Sequence, residues 1–588
     1  MKYTVRTYFF LFALFLIFSN EAVAFTLSGY VRSVNNEPVP FVTIHIKGTT
    51  TGVTTNTDGF YALEIPQGKY KVVYQSIGYL VQTIDVNVIS DLTLDIVLKE
   101  DAVQLKEVEV IPGKEDPAFA IIRKAMKKRE SYLKQVNRYE CDVYIKGLQR
   151  IKRYPKKIMG REINLDNVID TASGIVYLSE SVSKFYFEQP DKIREFLVSS
   201  KVSGKNNAFS FNQASDLLFN FYQNLIQTSV TPRGIISPIA GTCLLSYNYR
   251  FTGSFYENGV WVNKIQVTPK RKSDPCFSGY IYICDSTWRI YNVDVFVTKE
   301  NQVRFVDTLR ISQVYLPVND SVWMPFSNKF SFNFGVFGFE GNGYFTGIQS
   351  NYLLNPEVSK RFFNGEEWHV NEGSNKKENT YWDSIRPIPL THEETLDYER
   401  KDSLHRIWDS PRYKDSLDKR NNRLQLNAFW EGYSWRSTRK GINFRTAPLL
   451  TGFLYNTVQG WNPGLTLFFS KRMKETKKEF QSECRSYYGL SSFEFFISGE
   501  VRYEYNPKTN SRITLSGGRE ASQFNAANPI SPFVNCVYSL LDKHNYMKLY
   551  RNEFGSIRWR SEPFNGLTFF TSVLFSARSP LQNSSDFS

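Results

Sequence analysis

The chain of 588 residues carries 72 basic and 58 acidic side chains, a formal charge of +14, with 41% apolar and 22% charged residues. That balance excludes wholesale disorder and favours anionic partners such as lipid headgroups or polyanionic glycans. Aromatic residues reach 16%, including 47 Phe and 35 Tyr, a bias that suits pleated sheet surfaces.

Residues 1–24 read as a secretory signal. Lys2 and Arg6 precede the apolar run from Tyr8 to Phe18, and Ala22-Val23-Ala24 offers a cleavage site after Ala24. The first cysteine is Cys141, which disfavours a lipid-anchored lipoprotein. Beyond residue 24 no run reaches the ~18 apolar residues of a membrane-spanning helix, a test that a β-barrel escapes. Export removes cytoplasmic enzymes and nucleic-acid binders, so nucleic acid is not an expected partner. Of the six cysteines only Cys276 and Cys284 lie close in sequence, leaving open either one bridge or six unpaired thiols.

Residues 25–99 predict a small β-sandwich. Val42, Ile44 and Ile46 alternate with Thr43 and His45, and Tyr70, Val72 and Tyr74 alternate with Lys71 and Val73. Turns fall at Asn35–Pro38, Asn56–Gly59 and Pro66–Gly68. The strings Gly29-Tyr30-Val31, Pro38-Val39-Pro40, Gly48-Thr49-Thr50, Thr57-Asp58-Gly59-Phe60 and Ile77-Gly78-Tyr79 resemble the carboxypeptidase-regulatory-like domain, a prealbumin-type Greek-key sandwich. The resemblance implies a periplasmic module without catalytic residues.

Residues 100–135 form a linker and a basic helix. Asp116 can cap it, Pro117 suits its first position, and Phe119, Ile122, Met126 and Leu133 share a face. That helix either lies on anionic headgroups or packs on the next domain. Residues 136–355 predict a β-rich periplasmic domain. Its strands run at Cys141–Lys146, Trp261–Val267, Gly279–Cys284, Trp288–Val297 and Lys329–Phe337, with one helix near Ser215–Ile226. The strings Glu115-Asp116-Pro117-Ala118, Tyr177-Leu178-Ser179-Glu180-Ser181, Ser200-Lys201-Val202-Ser203-Gly204 and Val267-Thr268-Pro269-Lys270-Arg271-Lys272 resemble an exported Bacteroidota family, domain of unknown function 5686. The resemblance extends from about residue 105 to the end. It implies an outer-membrane-associated protein of unestablished activity. Pro269 to Ile290 is also similar to the half-barrel of periplasmic lipoprotein carriers.

Residues 356–422 read as a polar linker followed by charged helices, opened by the Thr391/Glu394 capping box and broken at Pro411. Residues 423–588 then alternate with period two. Ile497, Gly499, Val501, Tyr503 and Tyr505 oppose Ser498, Glu500, Arg502 and Glu504. Ile513 and Leu515 oppose Arg512 and Thr514, and Ile557 and Trp559 oppose Arg558 and Arg560. Strands with one apolar and one polar face, joined by unequal connections, predict an antiparallel outer-membrane β-barrel. Six to eight strands and an ending shortly after a strand near Arg578 suggest an incomplete barrel relative to the family, the alternative being a small closed one.

Chemistry is sparse. His369-Val370-Asn371-Glu372 has metal-ligand spacing but lies in the polar linker, and His392-Glu393-Glu394 lacks the second histidine of a zinc helix because residue 396 is Leu396. No nucleophile elbow or phosphate loop occurs. No catalytic, metal or cofactor site is expected, and no enzymatic activity. The candidate functional residues are the barrel-lumen charges Glu500, Arg502, Glu504, Arg512 and Arg558, as an ion-selective lining or a salt-bridged plug. The expectation is a mainly β envelope protein in the outer membrane with periplasmic N-terminal domains, partnered by outer-membrane lipid and a protein or lipid client, and acting in transport or assembly. A surface anchor, a soluble periplasmic lipid- or lipoprotein-binding protein and a TonB-dependent receptor relative are the alternatives.

Overall fold

The computed structural model describes residues 24–100, 115–155, 157–158, 161–162, 173–203, 213–228, 231–257, 259–301, 306–336, 338–426, 428–525, 527 and 529–585. The expected signal segment before Ala24 lies outside the described residues. The fold is mainly β and divides into two compact units, residues 1–402 and 403–588. No described helix is long and apolar enough to cross a membrane.

The first unit begins with a sandwich of two four-stranded sheets. One holds β1 (Ala24–Ser33), β4 (Phe60–Pro66), β7 (Leu92–Thr93) and β8 (Ile96–Leu98). The other holds β2 (Thr43–Ile46), β3 (Gly52–Thr54), β5 (Gly68–Gln75) and β6 (Gln82–Val88). Their inward residues, among them Leu27, Val31, Ile44, Tyr61, Val72 and Tyr74, make one core. Tyr61 and Tyr74 bury their hydroxyls against each other at 2.9 Å, which satisfies both polar tips.

Helix α1 (Pro117–Leu133) starts as expected. Asp116 accepts the Ala118 N–H at 2.8 Å and Pro117 occupies the first turn. Ala118, Ile122 and Ala125 are buried, with Phe119, Met126 and Leu133 packed beside them, so this face belongs to the domain core.

That core lies against an eleven-stranded sheet. From β9 (Arg138–Arg153) the chain passes a short hairpin, β10 (Lys157–Ile158) and β11 (Arg161–Glu162), to β12 (Ile175–Glu188) and β13 (Lys192–Val202). A second hairpin, β14 (Leu225–Thr228) and β15 (Thr231–Ile236), precedes a long meander. The meander comprises β16 (Tyr247–Glu257), β17 (Val260–Pro269), β18 (Ser278–Cys284), β19 (Ile290–Thr298), β20 (Thr308–Pro317), β21 (Trp323–Val336) and β22 (Phe339–Leu354). The sheet order is β16 to β22 in sequence, then β9, β12, β13 and the exposed β23 (Trp368–Val370), which pairs in parallel with β13.

One expectation is corrected. Residues 215–226 form no α-helix: a 3₁₀ turn (Ala214–Asp216) leads through irregular chain with a turn at Asn220–Gln223 into β14. The carbonyls of Phe219, Phe221 and Tyr222 are taken by the distant side chains of Gln313, Ser237 and Arg129, so no i→i+4 ladder forms. Of the two readings left open for the cysteines, the unpaired one holds, and no bridge joins Cys276 and Cys284. Both are buried free thiols, and burial raises them to about 11 and about 12.

The opposite face of the sheet is covered by helix α2 (Asn379–Ile385), the start of helix α3 (His392–Asp409) and the sandwich. Trp382 of α2 is fully buried with Tyr144, Phe326 and Ile348. The Thr54 N–H donates to the Pro387 carbonyl at 2.8 Å, and Phe41 packs edge-on to Tyr344.

The second unit contains helix α4 (Pro411–Asn421), a nine-stranded antiparallel sheet and helix α5 (Pro532–Leu541). The strands are β24 (Ser434–Ser437), β25 (Ile442–Thr446), β26 (Phe453–Asn456), β27 (Gly460–Arg472), β28 (Glu479–Gly489), β29 (Glu494–Asn506), β30 (Ser511–Gln523), β31 (Leu549–Phe564) and β32 (Leu567–Pro580). Pairing runs from β24 and β25 through β27 to β32, with β26 beside β27. Among the described residues no pairing closes β32 onto β24. One connection, 524–548, is long and carries α5, while β29–β30 and β31–β32 turn tightly.

Candidate functional site

The expected lumen charges share one face of the second sheet. Register places Gln481, Arg502, Thr514 and Arg558 in one cross-strand row, and Glu479, Glu504, Arg512 and Arg560 in the next. Glu500 takes two arginines: Arg502 at 2.8 Å and Arg558 through its other oxygen. Arg502 also donates to Gln481 at 3.3 Å. Glu504 stands directly opposite Arg512 in register. Ser516 and Ser556 join hydroxyls at 2.7 Å in the same cross-strand row as Glu500. Ala24, the expected cleavage residue, opens β1 opposite Pro66.

The other face of the same strands is apolar and uncovered. Val501, Leu515, Ile557 and Val573 form one row across four strands, each 38–64% exposed. Tyr503, Ile513 and Trp559 form the adjacent row. The edge strand β32 departs from the alternation, exposing Phe569, Phe570, Val573, Leu574 and Phe575 on both faces.

A second polar group, which no local pattern announced, is buried in the first unit. Lys146 in the middle of β9 is 0% exposed, and its ammonium meets Glu394 at 2.7 Å. Glu394 also accepts the Thr391 N–H at 2.8 Å, completing the expected capping box, and the Tyr344 hydroxyl at 3.1 Å. Beside it Glu180 accepts Tyr144 at 2.7 Å and Arg386 at 2.6 and 3.0 Å. Burial alone would push the Glu180 carboxyl up, but the Arg386 guanidinium outweighs it and holds the carboxyl below its usual range. Tyr144 and Arg386 line a cavity of about 860 Å³ between the sandwich and the sheet, together with Leu63, Lys201, Tyr381 and Tyr398.

The histidine motifs do not assemble a site. His369 lies exposed on β23 with Nδ1 3.3 Å from Glu366. Among the described residues no three His, Cys, Asp or Glu side chains converge as metal ligands.

Residues 121–352 match a family of unknown function (DUF5686), residues 426–588 match the C-terminal domain of that family, and residues 27–110 match a CarboxypepD_reg-like domain. A stretch of 98 residues is 36% identical to the TonB-dependent receptor SusC of Bacteroides thetaiotaomicron, covering 17% of this chain and 9% of the receptor. A stretch of 105 residues is 33% identical to a TonB-dependent receptor of Formosa agariphila, covering 17% and 10%. The chain therefore spans about a tenth of the length of these curated relatives. Among solved structures, an outer membrane lipoprotein-sorting protein domain from Vibrio parahaemolyticus is similar at 10% identity and a TM-score of 0.19, over 41% of this chain and 95% of that one. A LolA superfamily protein from Nitrosomonas europaea is similar at 12% identity and 0.17, over 42% and 96%.

Proposed function

The chain belongs to the family of unknown function DUF5686, and on that premise we propose that it is a non-enzymatic outer-membrane protein of the cell envelope. In this reading residues 434–580 contribute the wall of a membrane β-barrel, and the first unit works in the periplasm. The observation that carries it is the two-sided character of β29–β31. A soluble sheet turns its polar face to water and covers its apolar one. Here the apolar row Val501–Leu515–Ile557–Val573 is uncovered, while behind it Glu500 pairs with Arg502 and Arg558. Exposed apolar surface continuous over four strands suits lipid, and a charged polar face suits a wet interior.

The edges β24 and β32 then require partners, since unpaired backbone in hydrocarbon costs several kcal/mol per group. Partial identity to outer-membrane receptors agrees with an envelope location. The cavity beneath the sandwich gives the periplasmic part room for a segment of a lipid or protein client, which makes transport or assembly the proposed role.

The test is fractionation of the full chain with urea and carbonate washes, followed by gel mobility before and after boiling. Retention in the outer membrane with a heat-dependent shift is expected. Release by carbonate with no shift would refute the barrel and leave a soluble periplasmic binder.

A further inference from the structure

Charge is balanced unevenly along the polar sheet face. Toward the end carrying the long connection, Glu494 serves both Arg519, at 2.8 Å, and Arg551. Toward the tight turns, Arg502, Arg512, Arg558 and Arg560 all line one cavity of about 110 Å³. Three carboxylates, Glu479, Glu500 and Glu504, face these four arginines from the same or adjoining rows, so one positive charge is left over. Arg512 and Arg560 stand directly opposite each other on β30 and β31 and have no ion pair among the described residues. The Nε atoms of Arg558 and Arg560 are buried and make no hydrogen bond.

Like charges in direct cross-strand register destabilise a sheet, and buried guanidinium donors without acceptors add to that cost. An anion in the cavity would remove both penalties. Its size fits a small oxyanion, being the room of about four waters at roughly 30 Å³ each. Guanidinium forks match oxyanions in bidentate fashion. A carboxylate has only two oxygens to share, whereas a phosphate can accept from several forks at once.

We propose that Arg502, Arg512, Arg558 and Arg560 form a binding site for a phosphate group at the tight-turn end of the polar sheet face. The site deepens the membrane-wall reading and rests on it only for its position: short turns mark the periplasmic side of such walls. Phosphate there could come free in solution or on a lipid headgroup.

The experiment uses the full chain in a non-ionic detergent. Calorimetric titrations with inorganic phosphate and with a water-soluble short-chain phosphatidic acid are run at low ionic strength on wild type, Arg512→Gln/Arg560→Gln and Arg519→Gln. Saturable binding is expected in wild type and in Arg519→Gln, with at least a tenfold loss in the double variant. Tighter binding of phosphatidic acid assigns the site to a lipid headgroup, and equal binding assigns it to the phosphate group itself. Absence of binding in wild type, or equal affinity in a double variant that keeps the heat-dependent gel shift, overturns the site. Carbonate release of a chain that still binds phosphate would instead overturn the membrane wall and leave the site standing.

Discussion

Lys146 and Glu394, 248 positions apart in the chain, meet at 2.7 Å with both side chains sealed from solvent. The pair fastens α3 to the centre of the eleven-stranded sheet. Removing one partner leaves a buried charge alone, which costs roughly 3–5 kcal/mol, whereas replacing both by apolar groups is often neutral. Lys146→Met is therefore expected to lower the urea midpoint of the first unit sharply. The double variant Lys146→Met/Glu394→Leu is expected to recover most of that loss. Equilibrium unfolding followed by fluorescence makes the comparison, with Trp382 buried in one cluster with Tyr144, two residues from Lys146 on β9.

Acid should weaken the sandwich before it weakens the sheet. His45 is 3% exposed, its Nδ1 lacks a hydrogen-bond partner, and burial lowers its pKa from 6.5 to about 4. The folded state thus holds the ring neutral where the unfolded chain would protonate it. The stability this represents is complete above pH 6.5 and is lost as pH falls from 6.5 to about 4, about 3 kcal/mol in all. Glu180 acts in the same direction, through its depressed carboxyl, only below its ordinary range. His45→Leu should flatten the fall in urea midpoint between pH 6.5 and 4.5. An unchanged slope would place the acid sensitivity elsewhere.

How much of this was legible depended on how local the cause was. The capping residues of α1 and α3 and the alternation of β29 to β31 are written within a dozen positions, and the structure repeats them. Thr43 and His45 alternate as outward residues of β2 yet are buried, and Thr54, opposite Thr43 in register, bonds the carbonyl of Pro387, more than three hundred positions away. Lys146 reads as an ordinary polar residue of a strand because its partner Glu394 is also remote in sequence. The segment 215–226 has helical spacing of apolar groups, but its carbonyls are claimed by side chains from β20, α1 and Ser237. Arg560 was visible on the polar face, but its crowding against Arg512 depends on the register of β30 with β31.

Helix α5 is built inside out. Asn535, Cys536 and Ser539 face inward, while Phe533, Val537, Leu540 and Leu541 are exposed. Asn535 is fully buried and accepts the N–H groups of Tyr546 and Met547 at 2.9 and 3.1 Å while donating to Asn545. Substitution Asn535→Leu would orphan the Tyr546 N–H, at roughly 1–3 kcal/mol, and leave the Met547 N–H only its 3.2 Å bond to Asn545. The expected result is a gel shift that occurs at lower temperature than in wild type. Phe533→Ser, on the outward face, should leave that temperature nearly unchanged in detergent.

The two faces of β31 offer the sharpest contrast, because adjacent residues meet opposite surroundings. Ile557 lies in the uncovered apolar row between Leu515 and Val573, and Ser556 lies on the polar face, bonded to Ser516. An arginine on the lipid side of a membrane strand costs about 2–4 kcal/mol near the bilayer midplane, while an arginine on the wet side costs little. If the apolar row faces lipid, Ile557→Arg should reduce the heat-shifted, membrane-retained fraction strongly. Ser556→Arg, which sacrifices a single hydroxyl contact, should reduce it far less. In a water-soluble sheet the order inverts: Ile557, already 48% exposed, would accept a charge readily, and the packed serine pair would not. The ratio of retained protein in the two variants therefore decides which solvent the row Val501–Leu515–Ile557–Val573 meets.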